Sequence, residues 1–158
     1  METKVPMTQQ GYAKMQEELK KLKFVDRHEI IAAIEEARSH GDLSENAEYH
    51  AARERQSFTE GRILELESAL SRAQVIDTSS LSGDKVLFGA TVELEDEETG
   101  ENSTYQIVGQ YEADLEHGRI SLTSPLAKAL IGREVGDSVE FTTPRGTRCY
   151  EVLNVKFV

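Results

Sequence analysis

Asp42 and Glu45 are the residues of this 158-residue chain best suited to do chemistry. They lie within His40-Gly41-Asp42-Leu43-Ser44-Glu45-Asn46-Ala47-Glu48-Tyr49-His50-Ala51-Ala52-Arg53, a dense acidic and polar cluster. On helical geometry, residues three apart are neighbours with Cβ atoms about 5–6 Å apart. Two carboxylates so placed can share one hard cation, directly or through water. Mg²⁺ held by one or two carboxylates keeps most of its waters and binds weakly, so it becomes useful where another macromolecule supplies further ligands. The same tract, Asp42-Leu43-Ser44-Glu45, also fits a capping box whose carboxylates bond free backbone N–H groups. The residues alone leave both readings open.

The elements that position this cluster are two helical patterns that meet at it. Thr8 caps a first helix carrying apolar Met15, Leu19 and Leu22. The pattern then breaks, and Asp26-Arg27-His28-Glu29 reads as a capping-box-like restart. Ile30, Ile31, Ala33, Ile34 and Ala37 continue the apolar face, and Gly41 suits the helix end. A third helix is expected from about Glu45 to about Gln74. Its Tyr49, Ala52, Gln56, Thr59, Ile63, Leu66, Leu70 and Ala73 alternate in 3,4 spacing, the seam of a coiled coil. At 1.5 Å per residue it spans roughly 45 Å. The short turn makes the Ile30–Ala37 face its antiparallel partner. A soluble hairpin has no packing need for an acidic tip, and the shape suggests action inside another molecule.

After the polar stretch Thr78-Ser79-Ser80-Leu81-Ser82-Gly83-Asp84 the pattern changes to strands. Ala90–Leu94 and Thr104–Val108 flank an acidic turn containing Thr99-Gly100, a hairpin signal. Arg119–Leu122, Ser138–Phe141 and Cys149–Val158 are further strands. Ser124–Gly132 is a short helix with Ser at the cap, Pro in the first turn and Gly past the end. The fold class expected is α+β: a helical coiled-coil hairpin over 1–77, a linker at 78–84, and over 85–158 an antiparallel sheet with one short helix.

Composition narrows the function classes. Net charge is −11, with 30% charged residues. Duplex nucleic acid is bound non-specifically by neutralising phosphates with Lys and Arg, so this balance argues against direct DNA binding. An acidic protein can still act on RNA when a larger partner delivers it. No apolar run approaches the roughly 18 residues of a membrane span. The first residues lack the apolar core of a signal peptide. Cys149 is the only cysteine, which excludes an internal disulfide and favours a reducing cytoplasm. With no CxxC spacing and four scattered histidines, no structural zinc site is expected.

Several tracts together resemble the bacterial Gre transcript-cleavage and elongation factors. In the first half these are Pro6-Met7-Thr8, Glu29–Ile34 running on through Gly41–Ala52, and Gly61-Arg62-Ile63. In the second half they are Val86–Val92, Tyr105–Gly109 and Ser121-Leu122-Thr123-Ser124-Pro125-Leu126-Ala127. The resemblance covers essentially the whole chain. It implies a monomeric cytoplasmic factor that binds bacterial RNA polymerase, inserts its coiled-coil tip into the secondary channel and stimulates cleavage of the 3′ end of backtracked RNA. DNA would be reached only indirectly. The resemblance also implies an FKBP-like C-terminal domain docking at the channel's rim coiled coil. Asp42 and Glu45 become the catalytic pair, holding a Mg²⁺ shared with the polymerase, with Asn46 and Tyr49 in support. There is no cofactor of the factor's own. Arg38 and Arg53 become contacts to RNA, although the family's larger basic patches are not evident. Ser121, Thr123 and Pro125 become the docking edge, where some relatives carry an acidic residue in place of Thr123.

This reading makes the chain no enzyme by itself but a donor of side chains to the polymerase's intrinsic activity. A pure regulator that occupies the same channel and blocks substrate is the main competitor. A prolyl isomerase needs an aromatic-lined pocket, against which stand 6% aromatic residues and no Trp. A holdase finds support only in the elongated hairpin.

Overall fold

The computed structural model describes residues 3–78 and 81–157. Strand β1 (Val5–Thr8) leads into helix α1 (Gln9–Lys21). The Thr8 hydroxyl accepts the Gly11 N–H at 3.0 Å, the capping geometry its position predicts. The restart expected at Asp26–Glu29 is not there. Asp26 has helical φ and ψ, caps nothing with its side chain, and faces Lys21 at 3.8 Å. A π turn (Leu22–Asp26) runs without interruption into helix α2 (Arg27–Arg38). The physical reason lies in the spacing of the buried residues. Met15 and Ile30 are fifteen positions apart, one more than two heptads, and both are buried. A π turn absorbs one residue and keeps them on one stripe.

Helix α3 (Ala47–Ser71) returns along α2. Thr59, Ile63 and Leu66 are buried, and Tyr49, Ala52 and Gln56 are half-buried, as the 3,4 spacing predicts. Near the end Ala69 is buried while Leu70 is only half-buried, so the stripe rotates out of the heptad register there. Charged pairs flank the seam. Arg27 forks onto Glu60 at 2.7 and 2.8 Å, Arg62 onto Glu18 at 3.0 and 3.1 Å, and Arg55 faces Glu29 at 3.8 Å. The helix stops at Ser71 rather than near Gln74, because Ala73–Ile76 forms strand β2, which pairs with β1.

That pairing moves the division of the chain. Tyr12–Ala73 is the body of one compact unit, whereas Val5–Gly11 belongs with the residues from Gln74 onward. Within the second unit the Glu112 carboxylate accepts from the Thr8 N–H, the Thr8 hydroxyl and the Gly109 N–H. A Cβ on Gly11 would run into the Glu112 side chain, which explains a glycine so early in a helix. Of the linker expected at 78–84, Ser79 and Ser80 lie outside the described residues. So do Met1 and Glu2 at the chain start, and Val158 at the end of the last expected strand.

The second unit is a five-stranded sheet in the order β5-β4-β3-β7-β6, with β3 (Thr91–Asp96), β4 (Asn102–Val108), β5 (Arg119–Ser121), β6 (Ser138–Thr143) and β7 (Gly146–Lys156). Its pairings are antiparallel except at the edge, where β5 runs parallel to β4. Helix α4 (Pro125–Leu130) follows β5, and its Ala127 and Leu130 pack with Val92, Leu94, Ile107 and Val152 in the core. Gly100, at φ +76, turns the β3–β4 hairpin. Buried Asp96 secures that turn by accepting the N–H groups of Glu98 and Thr99 and an Arg148 N–H.

Candidate functional site

The α2–α3 turn is built from short polar side chains that satisfy the backbone of two helix ends. After Arg38 the Ser39 and His40 N–H groups bond back to the Glu36 and Ala37 carbonyls. Gly41 then takes a φ of +116, which other residues adopt only under strain. Asp42 follows in an extended conformation. Its Oδ1 accepts the Ser44 N–H at 3.0 Å and the Ser44 hydroxyl at 2.8 Å. Asp42 therefore caps a single 3₁₀ turn (Leu43–Glu45) and not α3. The cap of α3 is Asn46, whose Oδ1 accepts the Tyr49 N–H at 3.0 Å. Its Nδ2 also donates to the Ala37 carbonyl at 2.5 Å, tying the end of α2 to the start of α3. The capping-box reading is thus corrected. The cap it assigned to the Asp42 pair belongs to Asn46, and α3 begins at Ala47 rather than about Glu45.

This construction engages Asp42 Oδ1 and leaves Asp42 Oδ2 and the Glu45 carboxylate without a hydrogen-bond partner among the described residues. His40, Asp42, Glu45, Asn46, Ala47 and Glu48 line one open cleft of about 510 Å³. Asp42 and Glu45 are both exposed. The Ser44 N–H and hydroxyl hold the Asp42 carboxyl below the usual carboxylate range, so it is ionised at neutral pH. Glu48 sits in the first turn of α3, where the helix dipole favours a carboxylate. Carboxylate oxygens around an open cleft suit a hard cation that brings its own water. Among the described residues, no group of three or more His, Cys, Asp or Glu side chains is arranged to hold a metal ion.

Tyr49 is half-buried on the seam, with its ring edge-on to that of His50 at 5.6 Å. Spacing in the sequence did not reveal the part played by His50. Its Nε2 lies 3.3 Å from the Ser44 carbonyl, which requires the proton on that nitrogen. Arg38 is exposed at the end of α2 and forms no ion pair among the described residues. Arg53 donates to Gln56 at 3.2 Å rather than pairing with a glutamate.

Sequence comparison decides the family. Residues 5–75 match the model described as "Transcription elongation factor, N-terminal", and residues 81–157 match "Transcription elongation factor, GreA/GreB, C-term". The transcription elongation factor GreA of Rhodospirillum rubrum is 64% identical over 154 residues, covering 98% of each chain. That of Phenylobacterium zucineum is 61% identical over 155 residues, covering 98% of this chain and 99% of the relative. This chain belongs to the GreA/GreB transcription elongation factors. Among solved structures, GreA factor homolog 1 (Gfh1) of Thermus thermophilus is 32% identical, with a TM-score of 0.45 and coverage of 97% and 99% of the two chains.

The other residues singled out in this GreA/GreB chain lie on β5, on the turn after it and at the start of α4. Ser121 ends β5, and Thr123 and Pro125 are exposed. The Ser121 and Thr123 hydroxyls are 2.7 Å apart, and the Thr123 N–H donates to the Ser121 hydroxyl at 3.1 Å. Ser124 caps α4 by accepting the Ala127 N–H at 3.2 Å, with Pro125 in the first turn. This edge carries the capping chemistry read from the sequence, at a strand-to-helix corner. No helix among the described residues is long and apolar enough to cross a membrane.

Proposed function

We propose that this elongation factor binds bacterial RNA polymerase in the cytoplasm and inserts its coiled-coil hairpin tip into the polymerase's secondary channel. There it stimulates cleavage of the 3′ end of backtracked RNA, releasing arrested complexes. It acts as a monomer, contacts DNA only through the polymerase, and is no nuclease by itself. The observation that carries this reading is the cleft shared by Asp42 and Glu45, two exposed carboxylates just ahead of helix α3, whose cap is Asn46.

Asp42 and Glu45 hold part of the coordination shell of a Mg²⁺ shared with the polymerase. When bound there, that ion supplies charge neutralisation for phosphoryl transfer at the RNA backbone. Asp42, the cap of the 3₁₀ turn, brings an ionised carboxylate, and Glu45, the last residue of that turn, brings the second. Asn46 and Tyr49 support the pair by fixing the first turn of α3. Arg38 and Arg53, exposed on either side, contact the phosphates of the RNA 3′ segment. Ser121, Thr123 and Pro125 dock against the channel's rim.

The test is RNA cleavage in a defined backtracked complex with bacterial RNA polymerase and Mg²⁺. The wild-type chain accelerates cleavage, and folded Asp42→Asn/Glu45→Gln binds the complex without doing so. Binding by both without stimulation by either would make the chain a channel-blocking regulator instead.

A further inference from the structure

We propose that Ser44 is a positioning residue for the stimulated cleavage: it clamps Asp42 by one carboxylate oxygen so that the other faces the cleft. The proposal rests on the function proposed above and assigns a role to a side chain outside the acidic pair.

Both Ser44 bonds to Asp42 end on Oδ1, the N–H at 3.0 Å and the hydroxyl at 2.8 Å. Among the described residues Oδ2 has no hydrogen-bond partner. An exposed Asp side chain otherwise samples its staggered χ1 wells. Two donors from one residue on one oxygen select a single well and leave one ligand atom directed outward. Ser44 is itself braced, because its carbonyl receives the His50 Nε2–H at 3.3 Å from the first turns of α3. His50 stacks edge-on against half-buried Tyr49. Orientation thus passes from the seam through His50 and Ser44 to Asp42. Partners that orient a ligating carboxylate matter because a ligand free to rotate must be ordered each time the ion binds.

The substitutions follow from the bonds. Ser44→Ala removes the hydroxyl and keeps the N–H. Ser44→Thr keeps both. Two measurements are made on the full-length protein, with thermal melting as the folding check. In the free chain, side-chain NMR couplings of Asp42 report its χ1 distribution. In the backtracked complex, the factor titration separates the saturating cleavage rate from the factor concentration giving half that rate.

For Ser44→Ala we expect χ1 averaging and a saturating rate lower by about tenfold, the lower end of what losing a ligand's orienting partner produces. The half-saturating factor concentration stays unchanged, and Ser44→Thr retains both wild-type behaviours. A single χ1 rotamer in Ser44→Ala overturns the proposal. So does averaging with an undiminished rate, while the wild type still stimulates. Absence of stimulation by the wild type overturns the proposed function and the role of Ser44 with it.

Discussion

At the residue scale, the tip gives the cap of α3 to Asn46 and the cap of the 3₁₀ turn to Asp42. Asn46 caps α3 and ties it to Ala37, while Asp42 and Glu45 face an open cleft. Asn46→Ala should therefore lower stability by about 1–2 kcal/mol, read as a shift in the denaturant midpoint of the helical signal, since it removes a cap and a cross-turn bond. Asp42→Asn and Glu45→Gln should each leave the half-saturating factor concentration in the cleavage assay within about twofold while lowering the saturating rate. An interaction made only in the transition state shows that split. The candidate carboxylates were legible in the sequence because their spacing and flanking turn residues mark them. The brace from His50 to Ser44 was not, because it joins a side chain to a backbone carbonyl six residues earlier. The capping role also went to the wrong residue. Asp, Ser and Asn are all good caps, and which one lies before the first helical residue depends on a single intervening 3₁₀ turn.

At the element scale, α3 shows its inward face through its 3,4 spacing. Leu66 is fully buried and Leu64 is 70% exposed on the same helix. Leu66→Ala should destabilise the hairpin unit by about 2–5 kcal/mol, and Leu64→Ala by less than about 0.5 kcal/mol, measured by urea unfolding followed through helical circular dichroism. In the sheet, the N–H groups of Glu98 and Thr99, with Arg148, hold buried Asp96 below the usual carboxylate range. A folded value below the unfolded one gives stability that is present above the ordinary value of 3.8 and lost as pH falls through the folded value. Asp96→Asn should be the less stable chain at neutral pH, and the gap should narrow as pH drops below about 4, checked by melting across that range. The sheet's strands were legible from alternation and from turn signals such as Thr99-Gly100. The parallel direction of β5 was not, because period 2 says nothing of pairing partner. Nor were β1 and β2, four residues each, which pair although the helical segment separates them in sequence. The π turn was hidden by Asp26 and Glu29, whose spacing imitates a helix start.

At the scale of the whole molecule, a net charge of −11 shapes the proposed division of labour. A chain with 29 acidic and 18 basic side chains is poorly equipped to hold RNA by itself. The isolated protein with Mg²⁺ and free RNA should therefore release no cleavage product, as followed on a denaturing gel over hours. With two exposed carboxylates as its only proposed catalytic groups, it needs the polymerase to supply the substrate, the remaining ligands and the closed site. The most direct measurement is the rate of RNA cleavage in a stalled, backtracked polymerase complex, at saturating factor and fixed Mg²⁺, for wild type beside Asp42→Asn/Glu45→Gln. The expected result is acceleration by the wild type and a loss of at least about 100-fold in the folded, polymerase-binding double variant. Equal acceleration by both proteins would show that the acidic pair is turn architecture and that the chemistry lies elsewhere.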